Sequence, residues 1–220
     1  MLRQTFRYDY DGPALNPELP VVHDTVEFTL AAVVERRGPY ADALLPPSAA
    51  ADPRWLRPTR LSTPDAAALG LTAGLRGRPA LEAGDELCAR VHAAMPYEHG
   101  VTSTSTTAAE ALAAGRGVCQ DHAHVMLAAC RTLGLPSRYV SGHLFGEGGT
   151  HAWVEVLVAD RAATRAVALD PCNGCRADAR YLTVATGRDY ADVAPTSGTY
   201  SGSARGRLTA SKTVGVAEAA

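Results

Sequence analysis

The 220-residue sequence predicts an α+β fold, with helices packed on an antiparallel sheet and a partial β-strand region at the N-terminus. Two observations predict it. A helical block between about 80 and 134 precedes a run of short strands between 138 and 185, which is the order of an α+β protein and not of a repeating βαβ unit. Apolar residues make up 46% of the chain and charged residues 20%, enough for a packed core.

Each element follows from its local pattern. Residues 1–37 read as a fragment of a sheet, since Thr5, Arg7 and Asp9 alternate with Phe6, Tyr8 and Tyr10, and HDTVEFTLAAVVE at 23–35 is β-prone. From 38 to 79 the chain carries Pro39, Pro46, Pro47, Pro53, Pro58, Pro64 and Pro79 with few apolar periods. It reads as a proline-rich linker that wraps a neighbour, anchored by Trp55 and Leu56. The principal domain, 80–220, opens with Leu81, Leu87, Cys88, Val91 and Met95 at near-helical spacing until Pro96. Thr107 and Glu110 have the spacing of a capping box and Gly115 suits a stop, so a helix spans 108–114. Cys119, Ala123, Met126, Leu127, Cys130 and Leu133 form one apolar stripe, ending at Gly134 and Pro136. Strands follow at 138–145, 151–158, 166–170 and 181–185.

Charge and cysteine usage narrow the function classes. With 21 basic and 23 acidic residues the net charge is −2, which gives no electrostatic footprint for nucleic acid or for an anionic membrane. Five cysteines are an odd, sparse set, and neither a signal-like N-terminus nor an apolar run of about 18 residues is visible. A cytoplasmic location is the expectation.

Cys119 stands out among the cysteines because it opens a helix, where free N–H groups and the helix dipole favour thiolate and bring thiol pKa values to roughly 3.5–7.5. Cys88 and Cys130 lie on apolar stripes and read as core. A nucleophilic cysteine needs a base and a group to orient it. His151 opens a strand on which His151, Trp153 and Glu155 face one side, while Ala152, Val154, Val156 and Val158 face the core. Asp170 closes the next strand. A hairpin turning near 160–164 brings Asp170 beside His151, because neighbouring strands lie about 5 Å apart; direct opposition and a diagonal offset are both open.

The strings GVCQDHAHVMLAACRTLGLPSRYVSGHL at 117–144, THAWVEVLV at 150–158, LDPCNG at 169–174 and GRDYADVAPTSGTYSG at 187–202 resemble the bacterial transglutaminase-like, papain-like cysteine hydrolases. The resemblance covers about 80–215. In that family the catalytic triad is the Cys of GVCQDFAH, the His of SHAW and the Asp of DPTNG, which fall here on Cys119, His151 and Asp170. The resemblance implies a cysteine peptidase or amidase in which Cys119 attacks a peptide or protein amide, His151 moves the proton, Asp170 holds the imidazolium and a thioester forms. Water as acceptor makes it a hydrolase and an amine makes it a transglutaminase; a non-catalytic peptide-binding member of the fold is a further alternative. Tyr97 is the side-chain candidate for an oxyanion donor from the 97–106 segment, and Asp121 and His124, within a turn of Cys119, are candidates to support the site. No metal ion or organic cofactor is required, and no acidic cluster supports calcium binding.

The chain departs from the family pattern at His122, where Phe is usual, and at Cys172, where Thr is usual. His122 either packs as Phe does or adds a second base. Cys172 and Cys175 form a CNGC turn, read as surface-turn thiols or a redox pair, since one CxxC supplies only two of about four zinc ligands. Residues 1–37 resemble only the later strands of the family's N-terminal β domain, so either the start site is misassigned or the chain is a shortened paralogue whose open strand edge a partner chain covers.

Overall fold

The computed structural model describes residues 42–147 and 149–195, with 199, 201–203, 207 and 209; the strands expected in 1–37, and the open edge expected with them, lie outside the described residues. The elements are β1 (Ala43–Leu45), α1 (Ala66–Leu71), α2 (Ala80–Ala94), α3 (Ala108–Ala114), α4 (Cys119–Leu133), β2 (Ser137–Leu144), β3 (His151–Ala159), β4 (Thr164–Asp170), β5 (Cys175–Arg176) and β6 (Tyr181–Gly187). The strands pair antiparallel in the order β1-β4-β3-β2-β6, with β5 on β4. Among the described residues no helix is long and apolar enough to cross a membrane.

The helix ends obey local chemistry. The N–H of Glu110 donates to the Thr107 hydroxyl at 3.3 Å, the Thr107 N–H donates to the Glu110 carboxylate at 2.8 Å, and Gly115 takes φ +66° to end α3. Gly134, at φ +72°, ends α4 in the same way.

α4 is the centre of the packing. It lies on β2 and β3 and is covered by α1, α2 and α3, so every residue from Asp121 to Arg131 is buried. The sequence predicts one apolar stripe on this helix. The rest is covered because Ala128 and Ala129 let neighbours approach closely, and because α1 arises from the segment read as lacking apolar periods. That segment is also hydrogen-bonded into the sheet through β1. Trp55 is buried against Leu157 and Ala166, but Leu56 is 38% exposed and does not anchor the chain: Trp55 alone turns inward from the short 3-10 turn Pro53–Trp55.

Period two holds along β3, yet both faces are covered. Ala152, Val154 and Val156 meet the helices, while Trp153 joins Val140, Leu144, Ala168, Ala177 and Tyr181 in a second cluster. Glu155 is buried as well, facing its cross-strand partner Arg138 at 2.6 Å. Gly142 lies beside a β-bulge, where any Cβ would collide with the Leu182 carbonyl oxygen and the Trp153 indole.

His124 is buried among these layers. Its Nε2 accepts the Tyr190 N–H at 3.2 Å, and burial lowers its pKa to about 4. The unfolded chain takes up this proton near 6.5 and the folded chain near 4, so the stability that His124 confers is complete above pH 6.5 and lost as pH falls toward 4. The expected loss is about 3 kcal/mol, since each tenfold change in proton affinity is worth about 1.4 kcal/mol. Urea denaturation at pH 7 and pH 4 should show it in the native protein and a clearly smaller difference in His124→Gln.

Candidate functional site

The site is assembled from the start of α4, the start of β3 and the end of β4. Val154 pairs with Leu169, so Asp170 is one residue beyond that pair on β4 and His151 three beyond it on β3. The offset is diagonal, and it places the Asp170 carboxylate against the far edge of the imidazole. His151 Nε2 lies 2.7 Å from Asp170 Oδ2, with both side chains buried. The Cys119 side chain is close enough to the His151 ring to favour its protonated form. A ring nitrogen has one in-plane hydrogen-bonding direction. Nε2 is taken by Asp170, and Nδ1 faces the Glu147 carboxylate at 3.2 Å.

Electrostatics follow from these contacts. Burial pulls the His151 ring down, but its hydrogen bond to Asp170, the nearby Cys119 and the charges of both push it up to about 10. Burial opposes the charge of Asp170, yet His151, Tyr181 and Asn173 hold its carboxyl below the usual carboxylate range. Five contacts saturate this carboxylate. Besides His151 it accepts from the Tyr181 hydroxyl at 2.8 Å, the Asn173 side-chain amide at 2.8 Å, and the backbone N–H groups of Cys172 and Asn173 at 2.8 and 3.2 Å. Burial and Asp170 push the Tyr181 phenol far above its ordinary value, which keeps it a donor.

Sequence reasoning misses Tyr181, Asn173 and Trp153 as parts of the site. Asn173 lies in the turn that reads LDPCNG, next to an acid at a strand end, and an Asn side chain that caps such a turn is a usable signal. Tyr181 is eleven residues from Asp170 and carries no local signal. Both aromatic rings back His151: Trp153 lies roughly parallel to it at 6.3 Å between centroids and Tyr181 meets it edge-on at 5.8 Å.

The other candidates separate. Asp121 is buried and caps α4: its Oδ2 accepts the Val118 N–H at 2.8 Å and the Thr102 hydroxyl at 2.6 Å. A Cβ on Gly117 would lie 2.7 Å from the same oxygen, which explains a glycine two positions before Cys119. Asp121 therefore fixes both the first turn of α4 and the 97–106 segment. Asp121→Ala is expected to cost about 1–2 kcal/mol through the lost cap and to slow Cys119 alkylation; a melting curve and a timed iodoacetamide reaction check it. Tyr97 is 52% exposed and bridges to Gly117 beside the start of α4. Burial, then the nearby Cys119, raises its phenol. His124 faces away from this group, against Tyr139 and the Tyr190 backbone, so it braces the sheet corner and not the site.

His122 neither packs as a Phe nor is free to act as a base. It is fully buried with Nδ1 2.9 Å from the Val118 carbonyl and Nε2 2.7 Å from the Met95 carbonyl, tying α2 to α4. Cys172 is not a surface thiol, being 9% exposed beneath the turn, where burial and the Asp170 charge drive its thiol strongly upward. His92, from α2, holds that turn by its Nδ1 at 2.9 Å from the Cys172 carbonyl, and its ring fills the space above Gly174, at φ +64°. All five cysteines are free thiols, and no group of three or more metal-ligating side chains exists among the described residues.

Comparisons with known proteins agree with this architecture. An uncharacterized protein of Mycobacterium tuberculosis is 38% identical over 133 residues, 55% of this chain and 42% of that protein. Another, from Mycobacterium leprae, is 38% identical over 118 residues, 49% of this chain and 40% of that protein. The chain thus spans about two fifths of the length of the curated relatives it matches. Among solved structures, a candidate cysteine protease from Cytophaga hutchinsonii superposes with a TM-score of 0.51 at 25% identity, over 64% of this chain and 48% of that one. Residues 68–171, which include Cys119, His151 and Asp170, match the family model of the transglutaminase-like superfamily, so the chain carries a transglutaminase-like domain.

Proposed function

We propose that the protein is a cysteine-dependent amidohydrolase that cleaves peptide or amide bonds through a thioester on Cys119. One observation carries the reading: the His151 ring, held by Asp170 at Nε2, lies close enough to Cys119, at the first position of α4, for the two to act on each other's charge. The Cys119 sulfur attacks the carbonyl carbon, and the oxyanion that forms is met by the backbone N–H groups at the start of α4, which have no intrahelical acceptor. Tyr97, whose backbone bridges to Gly117, is the side-chain candidate for a second donor. His151 gives its Nδ1 proton to the leaving amine, and Asp170 keeps the ring oriented and its charge balanced. Water activated by the same nitrogen then releases the acid and restores Cys119. Where an amine replaces water, the product is a new amide and the activity is acyl transfer.

The test joins labelling to turnover. Iodoacetamide at neutral pH should alkylate Cys119 in preference to the buried Cys88, Cys130 and Cys172. A library of peptide amides, with and without an added primary amine, should reveal products that Cys119→Ala removes. Absence of both selective alkylation and Cys119-dependent turnover would refute the proposal. Peptide binding that survives in Cys119→Ala without turnover in the native protein would mark a binding module instead.

A further inference from the structure

Residues 145–147, which follow β2, place a carboxylate on the working side of His151. Glu147 Oε2 lies 3.2 Å from His151 Nδ1, the nitrogen not engaged by Asp170. The loop is held in place by the Phe145 N–H donating to the Arg180 carbonyl at 2.9 Å and the Glu147 N–H donating to the Leu144 carbonyl at 3.1 Å. Unlike Asp170, whose oxygens are saturated and buried, the Glu147 side chain is 47% exposed. It can therefore meet an arriving molecule. Its charge also reaches across the site, since it contributes to raising both the Tyr97 phenol and the Cys172 thiol after burial and the nearer charges have acted.

The space beside Nδ1 has a defined chemical role once Cys119 is the nucleophile. The leaving amine must stand there to receive its proton, and the incoming nucleophile must stand there to give one up. We propose that Glu147 selects a cationic group on this leaving and accepting side: an arginine or lysine side chain that follows the scissile bond, or one carried by the amine that accepts the acyl group. The inference rests on the reading of Cys119 as the nucleophile. Exposed ion pairs are weak, so the preference is set at about three- to fivefold per unit charge and shrinks as salt rises.

Charged thiosulfonates test this without requiring turnover. The cationic 2-(trimethylammonium)ethyl and the anionic 2-sulfonatoethyl methanethiosulfonates react alike: the Cys119 thiolate attacks the sulfenyl sulfur, a mixed disulfide forms and methanesulfinate leaves. Peptide mass spectrometry reads the labelling rate at Cys119 alone. The ratio of cationic to anionic rates cancels any change in the nucleophilicity of the sulfur. It is expected to fall about tenfold from the native protein to Glu147→Gln at low salt, with a smaller drop at high salt. A ratio that Glu147→Gln leaves unchanged overturns the proposal. So does an equal change in both rates, which would make Glu147 a restraint on the His151 ring and not a selector. A second arm compares peptides that differ only by arginine or citrulline after the scissile bond. If no peptide is turned over while the thiosulfonate ratio falls as expected, charge selection stands and the amidohydrolase reading fails.

Discussion

Asp170→Asn is expected to lower turnover about 10,000-fold while the backbone of the site stays in place, as when a base-orienting aspartate elsewhere is neutralised. The Asn oxygen can keep the Cys172 and Asn173 N–H groups, but its NH2 would then face the Tyr181 hydroxyl, the Asn173 amide and His151 Nε2, all of which donate to Asp170 now. The ring escapes the clash by carrying its proton on Nδ1, the working nitrogen of the proposed mechanism. A base protonated on the side of its nucleophile cannot take the proton. The same exchange removes one partner of a buried ion pair, which costs about 3–5 kcal/mol of stability. Tyr181→Phe removes a single neutral donor and is expected to cost about 1–3 kcal/mol with turnover reduced far less. Steady-state kinetics and urea denaturation of the two variants decide the matter. Turnover in Asp170→Asn within tenfold of the native value would remove Asp170 from the mechanism.

Raising the pH should destabilise the protein through His151. Its ring titrates near 6.5 when unfolded and at about 10 when folded, so between these values the folded state holds a proton that the unfolded state has lost. The stabilisation is complete below pH 6.5 and disappears as pH rises through 10. Shared between coupled groups, it is worth on the order of a few kcal/mol. Because Cys119 is one of the groups that push the ring up, Cys119→Ala should flatten the decline, while Glu147→Gln should change it little at a half-exposed position. Melting temperatures taken at half-unit steps from pH 6 to 10 check this. A native curve as flat as that of Cys119→Ala would contradict the coupling.

Elements whose signal is local were legible in the sequence. α3 begins at its Thr107–Glu110 box and α4 at Cys119, and the hairpin turns at 160–163, because capping residues, glycines and strand alternation act over a few residues. The pairing of His151 with Asp170 needed only strand order and a near register. What stayed hidden depends on distant partners. The short helix α1 forms inside a proline-rich segment because α4 offers it a surface, and period analysis cannot see that surface. Tyr181 reaches Asp170 by way of a strand that pairs with β2, not β4. The burial of Cys172 comes from α2, whose His92 closes over a turn eighty residues later. A two-residue cysteine spacing says nothing about that cover.

The burial of α4 on every side divides what this site can change from what it cannot. A helix in the middle of a protein has no neighbour that can relax independently, so the body of α4 behind Cys119 moves only when the whole domain opens. Amide protons at 125–129 should therefore exchange only through global unfolding, at the slowest rates in the chain. The loop that carries Glu147 is under no such restraint. Sequence drift can rewrite which molecules are admitted, residue by residue, while the reacting sulfur keeps its address for as long as the fold exists.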